Sequence, residues 1–457
     1  LTLPGIAGII LGIGMGVDAN VITAERIKEE LSKNKTLEGA VNSGFKMGLT
    51  PIIDGNVTIV IVAAILMGAF GPTDGFWAKV FNPIFYWFGP STAGTIYSFG
   101  FTLLTSVLLN FVFGVWATRV MIRGAVHFKP LRKAWLFGGK KEGGADFKTP
   151  SINFIGNRKK FYTFSCALIA VVLVFCGIFG VKMDVEFKGG SMITLAYEGD
   201  ADLNDLKSTI GTELGKSNLT LQTGSDISGN QTLTVTLPGS DTLTTEQLDN
   251  LLTALNEQYP DNKFVQNEVS NVDATIGKEF LVKSVVALVA ACVLILLYVA
   301  YRFRKIGGLK AGSTAIVALL HDMFVVFGVF VLLRIPLNGN FIAALLTILG
   351  YSINDTVVIY DRIRENSALY GKKQMSLAEL VNLSVNQSFA RSLMTSITTC
   401  LALGVVCVVS VIYRLDSIYS FAFPLLFGMV SGVYSTICIA TPLWVDWKNK
   451  KKAAKKA

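Results

Sequence analysis

The chain has 457 residues, of which 51% are hydrophobic and 16% are charged, and its formal net charge is +9. Soluble domains carry about 25% charged residues, so this composition, with a mean hydropathy of +0.52, excludes a disordered chain and an ordinary soluble protein. Residues 182–279 hold 16 acidic and 6 basic residues, which leaves the remainder at +19. The basic residues mainly flank apolar runs, so the sequence predicts contact with a lipid bilayer and no nucleic-acid binding.

Long apolar runs predict nine membrane-spanning helices, because one span needs about 20 mostly apolar residues. The candidate spans are 3–23, 51–70, 94–118, 161–181, 281–301, 311–333, 341–360, 389–412 and 419–444. Lys and Arg mark the cytoplasmic connections. Segment 119–160 has eleven of them, and the tail from Lys448 has six lysines. Alternation then places 25–49 and 361–388 inside the cell and 182–279 outside.

The polar stretch 182–279 predicts a small α+β domain. Strands are expected at 191–197, 219–222, 232–237 and 264–269, and helices at 203–214 and 245–259. The order β-α-β-β-α-β is typical of a ferredoxin-like fold. The fold class is therefore an α-helical polytopic membrane protein with one extracytoplasmic α+β domain.

The predicted boundaries divide the chain into six parts. They are the last three helices of a first half at 1–118, a basic cytoplasmic linker at 119–160, the first helix of a second half at 161–181, the extracytoplasmic domain at 182–279, five further helices at 280–447 and a basic cytoplasmic tail at 448–457. The aromatic segment 76–88, FWAKVFNPIFYWF, is expected in the outer membrane interface, where aromatic side chains concentrate. It lies in the insert 71–93, which alternation places outside and for which the sequence indicates no function.

An internal repeat relates the two halves. Residues 14–29, GMGVDANVITAERIKE, align with residues 350–365, GYSINDTVVIYDRIRE, at an offset of 336. Both copies run in the same direction, as in the parallel repeats of transporters. The second half has six spans and the first has three, and the chain opens at Leu1 inside an apolar run. We therefore expect an upstream part with three more spans and a second external domain.

The repeat also contains neighbouring charges at its cytoplasmic end. In each copy an acid directly precedes a base, as Glu25–Arg26 and Asp361–Arg362. Adjacent residues do not face each other on a helix. These side chains are therefore expected to contact neighbouring helices or lipid headgroups.

Ionisable residues inside the bilayer are costly and are candidate functional residues. The primary candidates are Asp18, Asp355 and Arg391, and the secondary candidates are Asp322, His321 and Asp54. Arg391 is the expected cation for Asp355. Moving this pair together or apart would switch Asp355 between a carboxylate and a neutral acid, as a proton-coupled cycle requires. The repeat places Asp18 opposite Asn354, one position before Asp355.

Structural roles for these residues remain open at this stage. Asp54 is equally consistent with a helix cap near the cytoplasmic interface, and Arg391 with a side chain that extends to that interface. Asp322 is equally consistent with a buried hydrogen-bond partner. The hydroxyls of Thr395 and Thr399 fit either a thin water path or bonds to their own helix.

Several segments resemble a known family. VDANVITAERIKEEL at 17–31 resembles the SecD signature, and FKGG at 187–190, LLTILGYSINDTVVIYDRIREN at 345–366 and RSLMTSITT at 391–399 resemble SecF. The HD pair at 321–322 matches a further SecF motif. The chain thus resembles a fused SecDF without the front of SecD.

The resemblance implies a resistance-nodulation-division membrane fold in the bacterial cytoplasmic membrane. It implies an accessory of the Sec translocon that uses the proton-motive force to help unfolded polypeptides leave the cell. The implied partners are the translocon channel with its subunits and the exported chains. The family's proton relay falls on Asp18, Asp355 and Arg391. No enzyme activity and no cofactor beyond the proton gradient are expected.

Two other functions remain in view. A proton-coupled exporter of small molecules or lipids from the same superfamily would have similar membrane chemistry. A scaffold that only stabilises a translocon would need no titrating Asp, so it would tolerate replacement of Asp18 and Asp355.

Overall fold

The computed structural model describes residues 3–88, 94–139, 151–199, 201–216, 219–225, 231–238, 243–272, 274–413 and 416–454. The predictions for the end of the insert 71–93, the middle of the linker, the last three residues of the tail and short parts of 182–279 lie outside these ranges.

The structure is mostly helical. Its helices are α1 (Leu3–Ser32), α2 (Leu37–Phe70), α3 (Phe76–Phe85), α4 (Gly94–Leu109), α5 (Thr118–His127), α6 (Arg158–Phe179), α7 (Val185–Lys188), α8 (Leu203–Glu213), α9 (Thr245–Gln258), α10 (Ala274–Arg302), α11 (Gly308–Leu332), α12 (Gly339–Gln374), α13 (Leu377–Ile412), α14 (Asp416–Ser435) and α15 (Thr441–Ala454). Segments of π-helix join α4 to α5 at Asn110–Ala117 and α14 to α15 at Thr436–Ala440. These wider turns keep each pair of helices continuous.

Eight helical segments of the described chain are long and apolar enough to cross a membrane. They are α2, α4 with α5, α6, α10, α11, α12, α13, and α14 with α15. The remaining predicted span, 3–23, falls within α1, which is not among these eight segments. The small residues of α1 allow close packing, because Gly8 and Gly12 lie against Thr102 and Ser106 of α4.

The domain outside the membrane has the predicted ferredoxin-like topology. Its strands are β1 (Gly190–Tyr197), β2 (Thr220–Ser225), β3 (Gln231–Pro238) and β4 (Val265–Val272). They form one antiparallel sheet in the order β2-β3-β1-β4. Alternate residues of β1, such as Ile193 and Leu195, are fully buried beneath α8 and α9. Thr244 begins α9 with a reciprocal capping box to Gln247, which satisfies two backbone donors at the helix start.

Both copies of the repeat lie in single helices that extend from an apolar segment into a charged one. The first lies in α1 and the second in α12, which is 36 residues long. The expected contacts of their basic residues with neighbouring helices are confirmed. Arg26 of α1 pairs with Glu365 of α12, and Arg362 of α12 pairs with Glu29 of α1.

Helix α3 carries the aromatic segment. Phe85 is buried, and Phe81 packs against Gly68 of α2, where a β-carbon would lie 2.6 Å from its ring. Trp87 and Phe76 remain 85% and 70% exposed. An apolar side that faces away from the bundle agrees with a position in the outer membrane interface, which stays a prediction.

The segment that leads into the α+β domain is joined to the start of α12 by backbone hydrogen bonds. Leu337 donates to the carbonyl of Lys182 at 2.9 Å, and Asp184 donates to the carbonyl of Leu337 at 3.0 Å. The Glu186 side chain then accepts from the backbone N–H of Gly339 at 2.5 Å. Burial raises the pKa of the Asp184 and Glu186 carboxyl groups, and for Glu186 the nearby Asp184 adds to this effect.

This junction should be more stable at low pH. A carboxyl whose pKa is raised by folding holds a proton that the unfolded chain has lost. The free energy of unfolding therefore falls as the pH rises from the ordinary Glu pKa of about 4.3 through the raised value. Glu186→Gln keeps an acceptor for Gly339 without the charge, so we expect its thermal unfolding temperature in detergent to exceed that of the parent by about 2 °C at pH 8.

The advantage of Glu186→Gln should shrink as the pH is lowered, because the parent becomes protonated. Glu198→Gln is the matched control, since that carboxylate is 69% exposed and pairs with Lys263 at the surface. It should change the unfolding temperature little. A Glu186→Gln protein less stable than the parent at pH 8 would contradict the prediction.

Candidate functional site

The primary candidate residues meet between the two halves of the chain. Asp18 comes from α1, Asp355 from α12 and Arg391 from α13. Asp18 and Asp355 are each 6% exposed, and the Arg391 side chain is 11% exposed. The interpretation of Arg391 as a side chain that extends to the interface is therefore wrong.

Arg391 forms its ion pair with Asp18. Its Nη2 lies 3.4 Å from Asp18 Oδ1, while the Nδ2 of Asn354 donates to Asp18 Oδ2 at 2.8 Å. The expected direct pair with Asp355 is absent from the described residues, although the charges of Asp18 and Arg391 both act on Asp355. Successive residues on a helix point about 100° apart, so Asn354 faces Asp18 and Asp355 is turned away from it.

The repeat explains why the site is asymmetric. Asp18 and Asn354 are equivalent by the offset of 336 and face each other across the boundary between the halves. Gly55 of α2 lies beside this pair. A β-carbon on Gly55 would lie 1.8 Å from Asn354 Oδ1. Gly55 thus leaves room for the Asn354 amide that donates to Asp18.

The charges at this site do not balance. Two buried carboxyl groups share one guanidinium, and each ionised group in a membrane interior is costly. A buried ion pair is tolerated only when its remaining hydrogen bonds are made, and Asn354 makes one of these for Asp18. A single proton on either carboxyl neutralises the cluster. The site is therefore suited chemically to the binding and release of a proton.

A small polar cavity lies beside Asp18. Three asparagines, Asn56, Asn110 and Asn354, line it together with apolar residues. The volume that the centre of a water molecule can occupy is about 10 Å³, which is close to the minimum for one water molecule. Asn110 Oδ1 is buried without a protein partner in the described chain. The lining thus offers enough polar groups to hold a water molecule next to the carboxylate.

Gly55→Ala should disturb this site specifically. The added methyl group would push the Asn354 amide from Asp18, and overpacking of this kind costs about 1–3 kcal/mol. Gly350→Ala is the matched control, because its β-carbon would meet no heavy atom closer than 3.5 Å. Unfolding in detergent should show a loss for Gly55→Ala and little change for Gly350→Ala. Equal stability of the two variants would contradict the contact.

Asp322 forms a separate hydrogen-bond cluster on α11. Its carboxylate is fully buried and accepts from Ser352 and Ser435 at 2.7 Å and from Ser431 at 2.5 Å. His321 lies 3.3 Å away through Nδ1. The serines come from α12 and α14, so this geometry fits a buried hydrogen-bond partner that links three helices.

Asp54 lies inside α2, which begins at Leu37. The interpretation of Asp54 as a helix cap is therefore wrong. Its carboxylate faces α10, where the Nε and Nη2 of Arg302 lie 2.7 and 2.6 Å from its two oxygens and the Tyr298 hydroxyl donates at 3.1 Å. The Nε hydrogen bond and the close Nη2 ionic contact together hold the two side chains against each other. The sequence offered a signal for it, since Arg302 ends the apolar run that faces Asp54.

The hydroxyl groups of α13 bond mainly to their own helix. Thr395 donates to the carbonyl of Arg391 at 3.2 Å and to that of Ser392 at 3.1 Å. Thr399 donates to the carbonyl of Thr395 at 2.9 Å and also meets the Tyr351 hydroxyl at 2.6 Å. These contacts favour the interpretation that the threonine hydroxyls bond to their own helix.

Comparison with known proteins identifies relatives over the whole chain. Residues 252–450 match the family described as protein export membrane protein SecD/SecF, C-terminal. The protein translocase subunit SecDF of Bacillus subtilis is 31% identical over 465 residues, which cover 99% of this chain and 58% of that protein. The SecF subunit of Alicyclobacillus acidocaldarius is 35% identical over 312 residues, or 67% of this chain and 96% of that protein.

A solved structure agrees with these matches. The crystal structure of SecDF from Thermus thermophilus, described as a translocon-associated membrane protein, superposes with a TM-score of 0.78 at 30% identity. The superposition covers 98% of this chain and 55% of that chain. The chain thus spans a little over half the length of these SecDF relatives. The match at 35% identity extends over nearly all of a SecF subunit, and the SecDF structure has the same multi-pass architecture. The chain therefore belongs to the SecD/SecF family of protein-export membrane proteins.

Proposed function

We propose that this chain supports late steps of protein export across the bacterial cytoplasmic membrane, powered by protons that pass through Asp18, Asp355 and Arg391. The observation that carries the proposal is the pair of buried carboxyl groups that share one guanidinium between the two halves. The family membership supplies the context of export. The proposed partners are the Sec translocon and unfolded polypeptides on its outer side.

The proposed cycle exchanges the partner of Arg391. In the conformation described, Asp18 holds the guanidinium. The cycle then has a proton on Asp355, which completes the neutralisation. Transfer of a proton to Asp18 weakens its ion pair and frees Arg391 to approach Asp355. Because Asp18 and Arg391 belong to different halves, this exchange changes the contact between the halves.

The available energy is sufficient to bias such a motion. One elementary charge that crosses about 100 mV provides about 2.3 kcal/mol, which corresponds to about a fifty-fold change in an equilibrium ratio. The proposed orientation puts residues 182–279 outside the cell, where the domain can act on an emerging chain, and the C-terminal tail inside.

The test is export of a secreted protein into membrane vesicles that contain the complete native SecDF assembly. Export should rise when a proton gradient is imposed after the ATP-driven steps have finished. Depletion of the assembly should remove this gradient-dependent part. An unchanged gradient effect after depletion would contradict the proposal.

The rival function is a proton-coupled exporter of small molecules or lipids. Its depletion would change resistance to small toxic compounds and leave secretion intact. The identity to SecF subunits favours the export role. A passive scaffold would retain gradient-dependent export when Asp355 is neutralised.

A further inference from the structure

Four charged side chains form a closed cluster at the cytoplasmic end of the two repeat helices. They are Arg26 and Glu29 of α1 and Arg362 and Glu365 of α12, called here the charge ring. The two arginines are related by the offset of 336, and so are the two glutamates. The ring therefore has the same approximate two-fold relation as the pair Asp18 and Asn354.

Each arginine of the charge ring contacts both glutamates. Within a helix, Arg26 lies 3.0 Å from Glu29, and Arg362 lies 3.0 Å from Glu365. Between the halves, Arg26 lies 3.0 Å from Glu365. Arg362 reaches Glu29 with both terminal nitrogens, and its Nη1 contact is 3.3 Å long.

The charge ring is partly shielded from water. The side chains of Arg26 and Arg362 are 12% and 13% exposed, and those of Glu29 and Glu365 are 28% and 26% exposed. Ion pairs at this burial are screened less than pairs at the surface. Two such pairs connect α1 to α12, so they oppose separation of the halves at this level.

A cavity connects the level of the charge ring with Arg391. Its lining includes three ring residues, Arg26, Glu29 and Arg362, and also Ser388 and Arg391. The space open to water centres is about 30 Å³, enough for one or two water molecules. Arg26 follows Asp18 by eight residues, which is about 12 Å along the helix. The ring thus lies on the cytoplasmic side of the cavity that reaches Arg391.

We propose that the charge ring is a gate that closes the cytoplasmic end of the route through Asp18 and Arg391. This inference deepens the proposed function. It rests on that function for the claim that the species moving along the route is a proton. The gate is closed when both pairs between the halves are formed. It opens when α1 and α12 separate at this level, and the pairs within each helix hold the side chains ready to close again.

The relation between the arginines and glutamates permits a test with matched charge exchanges. Arg26→Glu with Glu29→Arg keeps opposite charges within each helix but places like charges across both contacts between the halves. Glu29→Arg with Arg362→Glu does the reverse, because it keeps opposite charges between the halves and creates like charges within each helix. The fourfold reversal, which adds Glu365→Arg to Arg26→Glu, Glu29→Arg and Arg362→Glu, restores every pair. All three variants keep the net charge of the parent.

The reporter is a cysteine at Ser388, which lines the cavity and is 6% exposed. Inverted membrane vesicles present the cytoplasmic side to a small charged thiol reagent, and the chain without Ser388→Cys gives the background from its native cysteines. Like charges across an interface strongly disfavour its closed form, so Arg26→Glu with Glu29→Arg should speed labelling about tenfold. Like charges within a helix have a weak effect, so Glu29→Arg with Arg362→Glu should stay within about twofold of the parent.

The fourfold reversal should return labelling to the rate of the parent. Equal labelling of the two double exchanges, or no recovery in the fourfold reversal, would overturn the gate. A cysteine at Gln387, which lines the same cavity, provides a second reporter should Ser388→Cys assemble poorly.

A second measurement separates the gate from the proposed function. Arg26→Glu with Glu29→Arg should let a pH gradient across the vesicles decay faster than in the parent, and additional Asp18→Asn should abolish the difference. Faster labelling without faster decay of the pH gradient would support the charge ring as the contact that closes the two halves. It would overturn the role of this gate in a proton route. The labelling result itself requires neither export nor a proton gradient.

Discussion

Asp355→Asn should reduce gradient-dependent export to the level seen without a gradient, while the protein still assembles in the membrane. The amide has nearly the same shape as the carboxyl group but cannot exchange a proton in this range. Among the described residues, no hydrogen bond or ion pair holds the Asp355 carboxyl, and its partners act on it only through their charge. Its replacement therefore removes little local structure. The expected loss is the full gradient effect, at most about fifty-fold for one proton at about 100 mV.

The measurement compares export with and without an imposed gradient for the parent, Asp355→Asn and Asp54→Asn at equal membrane levels. Asp54 is the matched control, since it is also a buried carboxylate that interacts with an arginine, but its partner is Arg302 at a different interface. Asp54→Asn should retain the response to the gradient. Full gradient-dependent export by Asp355→Asn would reject the proposed role of this residue.

Asp18→Asn should both abolish the gradient effect and destabilise the protein. It removes the ion-pair partner of Arg391, whose side chain is only 11% exposed. Loss of one partner from a buried pair costs about 3–5 kcal/mol, because the remaining charge is left uncompensated. Thermal or denaturant unfolding in detergent should show this loss, and the export assay should show no response to the gradient.

A double variant separates the two effects of Asp18→Asn. Adding Arg391→Gln removes the uncompensated charge, so part of the lost stability should return. Export should stay insensitive to the gradient, because neither the acid nor its cation is present. Recovery of gradient-dependent export in the double variant would refute the relay through Asp18, and absence of any recovery in stability would refute the ion pair as the source of the loss.

The sequence predicted the architecture because hydropathy and charge act over whole segments. Spans of about 20 apolar residues, basic connections and the alternation in 182–279 each average over many positions. The ferredoxin-like order followed from the order of elements alone, and the sheet has the corresponding strand arrangement. The repeat at offset 336 also indicated that Asp18 and Asn354 lie at the same depth.

Hydropathy and charge averaged over segments could not predict which side chains pair within the site. Whether Arg391 meets Asp18 or Asp355 depends on a rotation of about 100° between neighbouring positions of a helix. The room for Asn354 depends on the missing side chain of Gly55, on a third helix. Prediction of the charge ring did not require such side-chain detail. Glu29 and Glu365 are the last residues of the two aligned segments, and each follows its arginine, Arg26 or Arg362, by three residues. Its signal was present in the alignment and was missed.

Helix α12 joins three parts of the molecule that have been described separately. Its first residue, Gly339, is held by Glu186 at the base of the α+β domain, and Asp355 and Glu365 follow on the same uninterrupted helix. At about 1.5 Å per residue, Gly339 lies about 24 Å and Glu365 about 15 Å from Asp355. A stiff helix that tilts about Asp355 acts as a lever with unequal arms. For such a tilt, a movement of about 1 Å at Glu365 corresponds to about 1.6 Å at Gly339, so the end of α12 at the α+β domain moves farther than the end at the charge ring.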